Sequence, residues 1–206
     1  PLYTIIEQER TNDFINTFLA KYEEGGIMPI WDLSANYTDC MIGYHAVPVI
    51  ADAFLKGIRG YDAEKAFEAM KSFAMRDERG LDFVKSQGFI PADSQVESVA
   101  RALEYAIDDW CIAAMANTMG KTEDYKLFSK RAKYYENYFD DSIKFVRGKM
   151  ADGSWRTPFN PISSQHRNDD FCEGNSPDIT NTTGNTEWNW LSEGPLPPAQ
   201  GMDGDP

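Results

Sequence analysis

Ser94-Gln95-Val96-Glu97-Ser98-Val99-Ala100-Arg101-Ala102-Leu103-Glu104-Tyr105-Ala106-Ile107-Asp108-Asp109-Trp110-Cys111-Ile112-Ala113-Ala114-Met115 is the stretch that decides the fold class. Val99, Ala100, Leu103, Ala106, Ile107, Trp110, Cys111, Ala114 and Met115 recur at the spacing that lines one side of a helix. Ser94 and Glu97 have the form of a capping box, in which the Ser side chain accepts from the third amide of the turn and Glu97 reaches back to the cap's own amide. The pattern predicts a helix starting there and stopping at Gly120. Asp108 and Asp109 fall in mid-helix beside Trp110, where one of the two is expected to face water.

The same period recurs on both sides. Phe14, Ile15, Phe18, Leu19 and Tyr22 follow Thr11-Asn12, which can cap a helix, and Gly25-Gly26 ends the run. An apolar stretch from Ile42 to Leu55 carries Pro48 where a first helical turn tolerates it. Asp62 caps a third helix with Ala66, Phe67, Met70, Phe73 and Ala74 inward. Thr122 caps a fifth, with Tyr125, Phe128, Ala132, Tyr135 and Phe139 inward. Phe145, Val146, Gly148, Gly153 and Trp155 read as short extended pieces and turns. Five helices with little strand signal make the chain all-α. Its loops around Trp31 to His45 and Trp155 to Asn175 are long, and long loops in a compact helical domain are more often functional than decorative. No short repeat is visible. Residues 177–206 are mostly Asn, Thr, Gly, Pro and acids, a composition that buries too little surface to offset its ordering entropy, so a disordered tail is expected there.

The 206 residues suffice for one domain with a real core. A formal charge of -13 without any basic stripe argues against a nucleic-acid partner. Cys40, Cys111 and Cys172 are too few and scattered for a disulfide framework, and none pairs with His or Cys in zinc spacing. No apolar run is long enough to cross a bilayer, and Pro1-Leu2-Tyr3-Thr4 has neither an initiator Met nor a signal-peptide pattern, so the chain reads as a piece of something longer.

The candidate chemistry lies in the loops. Phe171-Cys172-Glu173-Gly174-Asn175-Ser176 sets a carboxylate beside Gly and Asn, behind the polar run Ser164 to Asp170. A glycoside-cleaving enzyme uses such a group as proton donor, and a solvated surface loop has the same composition. Asp169 and Asp170 could raise the acid's pKa or be plain solvated charges. Trp31 offers an indole face for a pyranose or a core side chain. His45, near the start of an apolar helix, suits sugar contact or a hydrogen-bonded structural role. Asp39 could touch a sugar hydroxyl or cap that helix. Arg167 and Asn168 precede the acid and carry donors suited to hydroxyls; His166 could join them or lie on the surface. Glu97 is explained by the capping box alone.

Trp31-Asp32-Leu33, Asn36 through His45, Val47 through Ala53, Lys56-Gly57-Ile58, Glu97-Ser98-Val99, Leu103 through Ala106, Asp108 through Ala113, Arg147-Gly148-Lys149, Asp152 through Trp155, His166-Arg167-Asn168 and Phe171 through Asn175 follow one another as in the glycoside hydrolase family 92 α-mannosidases, which the chain resembles over residues 1–176. The resemblance implies part of an (α/α)6 barrel, made of helical hairpins, that follows an N-terminal β-sandwich domain in the whole protein. It further implies an exo-acting, inverting, calcium-dependent hydrolysis of α-mannosides in glycans, in a bacterial periplasm, at the cell surface or outside the cell. By motif match Glu173 is the acid that protonates the leaving oxygen, and Trp31, Asp39, His45, Arg167 and Asn168 stand near the sugar. The family's water-activating aspartate and most of its calcium ligands belong to later segments, so the chain holds no metal ligands of its own and is expected to be inactive alone, with apolar stripes exposed where barrel neighbours are missing. The family continues after Glu-Gly-Asn with an aromatic-rich helix, whereas Pro177-Asp178-Ile179-Thr180 breaks it here. Two other classes remain open: another (α/α)-barrel glycosidase of glucosidase or trehalase type, and a helical carbohydrate-binding module without catalysis.

Overall fold

The computed structural model describes residues 2–33, 36–38, 41–161 and 170–171, with backbone alone for 36 and 37. Among them run α1 (Tyr3–Ile6), α2 (Gln8–Gly25), β1 (Asp32–Leu33), β2 (Asn36–Tyr37), α3 (Ala46–Leu55), α4 (Ala63–Ala74), α5 (Leu81–Gln87), α6 (Ser98–Thr118) and α7 (Thr122–Arg131). A 3₁₀ turn (Tyr134–Tyr138), β3 (Phe139–Asp140) and β4 (Phe145–Val146) follow. The strands form two separate antiparallel ribbons, pairing Asp32 with Tyr37 and Phe139 with Val146. The residues expected in the tail, 177–206, lie outside the described residues.

The central element is α6. Val99, Ile112, Met115 and Ala116 are fully buried, and the helix packs against α3, α4 and α7. α3 is apolar nearly all round, with Val47, Ile50 and Ala53 fully buried, as a helix enclosed by neighbours must be. α4 is amphipathic, and its predicted inward residues Ala66, Phe67, Met70, Phe73 and Ala74 are all buried. Its cap is as the sequence indicates: the Asp62 carboxylate accepts from the Lys65 amide at 2.9 Å. Gly26, in the left-handed conformation at φ 75°, ends α2.

Three local expectations are corrected. α2 begins at Gln8, upstream of Thr11-Asn12, and Asn12 instead clamps the turn before α4 by accepting from the Gly60 amide at 2.8 Å. The α7 helix stops at Arg131, so Tyr135 falls in the 3₁₀ turn and Phe139 in β3.

The capping box does not form. α6 begins at Ser98, and its cap residue Glu97 is left-handed at φ 57° with no side-chain bond to the helix amides. A chain segment distant in sequence supplies the cap instead: the Asp170 carbonyl accepts from the Val99 and Ala100 amides, both at 3.0 Å. The orphan donors of a helix start need some acceptor, and tertiary structure can provide it. Glu97 is released to accept from Arg101 Nη2 at 3.0 Å.

Exposed apolar residues gather at α1, where Leu2, Ile5 and Ile6 each keep more than half of their surface open. Beside them Phe14, Phe18, Val49, Leu55 and Trp110 line an apolar groove. No described helix is long and apolar enough to cross a membrane.

Candidate active site

The loop from Trp31 to His45 joins α2 to α3, and its two ends line one cavity of about 480 Å³ with Lys21, Pro29, Ile30 and Asp32. Trp31 is 47 % exposed, which decides against a core tryptophan: its indole belongs to a surface with room for a ligand. Thr38 fixes the loop by donating to the Trp31 carbonyl from its amide at 3.1 Å and its hydroxyl at 2.7 Å. Asp32, paired with Leu33 to the β1–β2 ribbon, accepts from Lys21 on α2, so the cavity carries a paired cation and anion.

His45 enters the cavity from the other end of the loop and is held between two carboxylates of α6. Its Nδ1 stands 3.0 Å from Asp108 Oδ1 and its Nε2 2.5 Å from Glu104 Oε2. Glu104 and Asp108 are one helical turn apart, which puts both on the same face. These hydrogen bonds push the His45 ring up to about 10, Asp108 contributing most and burial opposing.

Behind His45 lies a buried polar core. The Tyr44 amide donates to Asp108 Oδ2 and its hydroxyl to Asp109 Oδ1, both at 2.8 Å. The Tyr44 ring stacks on Tyr105 with centroids 5.1 Å apart. Arg131, brought in by α7, donates from Nε to Asp109 Oδ2 at 2.8 Å. Burial pushes the Asp109 carboxyl up to about 6 against the pull of Arg131. Burial also works against the Arg131 charge, yet Asp109 outweighs it and holds the guanidinium above its usual range. Burial raises Asp108 as well, with the His45 hydrogen bond opposing it. Both aspartates are completely buried, against the expectation that one would face water. The reason is stoichiometric: three donors from Tyr44 and His45 plus one guanidinium satisfy two carboxylates, and a helix period alone cannot announce such partners.

The chain that leads to Glu173 is anchored at its last described residues. Ser98 Oγ donates to Asp170 Oδ1 at 3.1 Å, and Arg156 Nε stands 2.8 Å from Asp170 Oδ2. Asp170 is therefore neither a solvated charge nor loose, and Phe171 packs into the core beside it. Gly148 makes the room, since a Cβ there would lie 2.5 Å from the Asp170 Cγ.

Of the residues singled out from the sequence, the structure brings Trp31 and His45 to one cavity. Asp39, His166, Arg167, Asn168 and Glu173 lie outside the described residues. Lys21, Asp32, Glu104 and the Tyr44–Asp109–Arg131 core were missed as site residues. The available signal was Tyr44-His45 in a loop and three acids at 104, 108 and 109 on one helix. Among the described residues no three His, Cys, Asp or Glu side chains converge as a metal site.

The helical scaffold and its loop cavity have counterparts among solved structures. The family GH92 α-mannosidase BT3965 of Bacteroides thetaiotaomicron in complex with mannoimidazole superposes with a TM-score of 0.82 at 41 % identity, over 85 % of this chain and 24 % of that one. A second structure of the same enzyme gives 0.81 at 42 %, with the same coverage. The GH92 inverting mannosidase BT2199 from the same organism gives 0.80 at 33 %, again over 85 % and 24 %. The model of the glycosyl hydrolase family 92 catalytic domain matches residues 1–183. The chain belongs to glycosyl hydrolase family 92, and its helices are part of that family's helical catalytic domain. It spans 24 % of the length of these solved relatives. Comparison with curated protein sequences gave no match.

Proposed function

We propose that the chain is the part of an inverting exo-α-mannosidase that carries the sugar platform and the proton donor. The observation that carries this reading is the half-exposed Trp31 on a cavity of about 480 Å³, in a chain 41 % identical to a family GH92 α-mannosidase. The indole stacks on the apolar face of a mannose ring. Lys21 and Asp32 stand on the same cavity and offer a donor and an acceptor to its hydroxyls.

Glu173 is the general acid that gives its proton to the leaving glycosidic oxygen. In an inverting reaction its partner carboxylate activates water from about 6.5–9.5 Å away on the opposite face of the sugar. That partner belongs to a segment outside this chain, so the isolated chain binds without turning over. Asp39, Arg167 and Asn168 join the sugar-contacting set on the strength of the family motif. Calcium belongs to the same reading, with most of its ligands outside this chain. Mannose-bearing glycans outside the cytoplasm, in a periplasm, at a cell surface or beyond it, are the substrates.

The test is a titration of the 206-residue chain, labelled at the tryptophan indoles, with methyl α-mannoside and methyl α-glucoside. The expected result is a shift of the Trp31 indole N–H signal with the mannoside alone, lost in Trp31→Ala, and no nitrophenol release from a nitrophenyl α-mannoside. A response to glucoside alone sinks the mannose reading. Turnover by the isolated chain, abolished in Glu173→Gln, sinks the claim that it lacks the base.

A further inference from the structure

A neutral imidazole has one N–H and one lone pair, so between two carboxylates it would set its lone pair against an anionic oxygen. Both His45 nitrogens face carboxylate oxygens, Asp108 Oδ1 at 3.0 Å and Glu104 Oε2 at 2.5 Å. With both carboxyl groups ionised the geometry therefore requires two donors, and the deeper acceptor, Asp108, is held in place from elsewhere. Asp108, fully buried, also accepts from the Tyr44 amide at 2.8 Å, and Tyr44 is tied in turn to Asp109. Glu104 stands one helical turn before Asp108 on α6, on the same face. The clamp tolerates nothing larger than hydrogen beside it: a Cβ on Gly43, at φ 74°, would lie 2.5 Å from Glu104 Oε2 and 2.7 Å from His45 Nε2.

We propose that His45 is a positioning residue, an imidazolium clamped between Glu104 and Asp108 that fixes one wall of the Trp31 cavity and offers neither ring nitrogen to a ligand. The charged groups around it are Glu104 and Asp108 on α6, Asp109 and Arg131 behind Tyr44, and the Lys21–Asp32 pair on the same cavity. His45 is neither a general base nor a metal ligand, because both lone-pair positions carry protons directed at carboxylates. What a sugar meets is the ring face and its C–H edge. The clamp also joins the start of α3 to α6, so the cavity keeps its shape only while the imidazole is charged. The identity of the ligand rests on the mannosidase reading above; the clamp does not.

The chain has two histidines, which makes the experiment direct. In the ¹⁵N-histidine-labelled chain, long-range ¹H–¹⁵N spectra between pH 5 and 10 should show one imidazole protonated at both nitrogens throughout the neutral range. His45→Gln assigns the signal, and His166→Gln makes the same assignment should the first variant fail to fold. Glu104→Gln should raise the ring's acid dissociation constant about tenfold or more. The alkaline limit of the Trp31 response to methyl α-mannoside should move down with it. A neutral His45 at pH 7, an unchanged constant in Glu104→Gln, or a Trp31 response whose alkaline limit ignores that substitution each overturns the proposal. Should Trp31 be silent toward the sugar while both ring N–H groups persist, the mannose reading falls and the clamp stands.

Discussion

Replacing Arg131 by Met removes the cation paired with Asp109 and leaves a fully buried carboxylate without its counter-charge. Asp109 is fully buried and Arg131 is 2 % exposed, with the ion pair at 2.8 Å. Severing such a pair costs about 3–5 kcal/mol, because the surviving charge keeps its desolvation penalty and loses its compensation. Set against a total stability of about 5–15 kcal/mol, the loss runs from about a fifth to nearly all of it, and for a chain of this size it lowers the Tm by roughly 6–20 °C.

The carboxylate has an escape that the guanidinium lacks. Burial already pushes Asp109 up to about 6 with Arg131 present, and without Arg131 its folded-state value rises further above the unfolded one. A group raised on folding stabilises the fold below its unfolded value and loses that contribution as pH climbs through the folded one. Arg131→Met should therefore be least damaging near pH 5, with stability falling toward pH 8 by up to about 1.4 kcal/mol per pH unit. Asp109→Asn strands the guanidinium, which cannot neutralise, but it also removes the titrating carboxyl, so its loss relative to wild type should be largest near pH 5 and shrink toward pH 8. The double variant removes both charges and should regain most of either loss. Urea unfolding followed by circular dichroism at pH 5, 6.5 and 8 measures all four proteins. An Arg131→Met loss under about 1 kcal/mol at pH 8, or a loss independent of pH, refutes the reasoning.

For His45 the raised value of about 10 against an ordinary 6.5 means a stabilisation complete below about pH 6.5 and lost as pH rises through 10. With 45 % of the side chain exposed, screening reduces it to about 1–2 kcal/mol, read as the gap between wild type and His45→Gln at pH 6 that closes by pH 10.5; a constant gap contradicts it. Gly148→Ala drives a methyl into the Asp170 carboxylate and should cost about 2–4 kcal/mol in thermal melts, through its Ser98 and Arg156 bonds and the α6 cap; a loss under about 0.5 kcal/mol would mean Asp170 moves aside freely. Trp31→Ala, at a half-exposed position, should leave stability within about 1 kcal/mol of wild type while abolishing the mannoside response.

Periodicity is local, and what it could specify was local. The inward face of α4 follows from residue spacing, since a helix buries the same stripe whatever it packs against, whereas α6 also buries Tyr105, Asp108, Asp109 and Ile112 off its apolar stripe and leaves Leu103, Ile107 and Trp110 only partly buried. Caps were legible when the capping residue was adjacent, as with Asp62. They were not legible when the acceptor came from 70 residues away: the Asp170 carbonyl takes the α6 amides and leaves the Ser94–Glu97 motif unused. The split of the fifth helical pattern into α7, a 3₁₀ turn and β3 has the same origin, because Tyr138 turns its hydroxyl toward the Ile90 amide and leaves the helical register.

The site shows the same division in a sharper form. Trp31 could be singled out as an exposed loop aromatic from its residue type and its place outside any helical pattern. His45 could be singled out but not given a role, since a histidine's chemistry is set by what its nitrogens face. Those partners, Glu104 and Asp108, are 59 and 63 residues away and look in sequence like ordinary helix-surface acids. It is the fold that pairs the Tyr44-His45 dipeptide with the Glu104 to Asp109 turn. The two segments make sense only together: an acid pair on a buried helix face needs a cation, and a histidine next to a glycine that leaves no room for a methyl needs neighbours at contact distance. Each explains the other's residue types, which neither segment does alone.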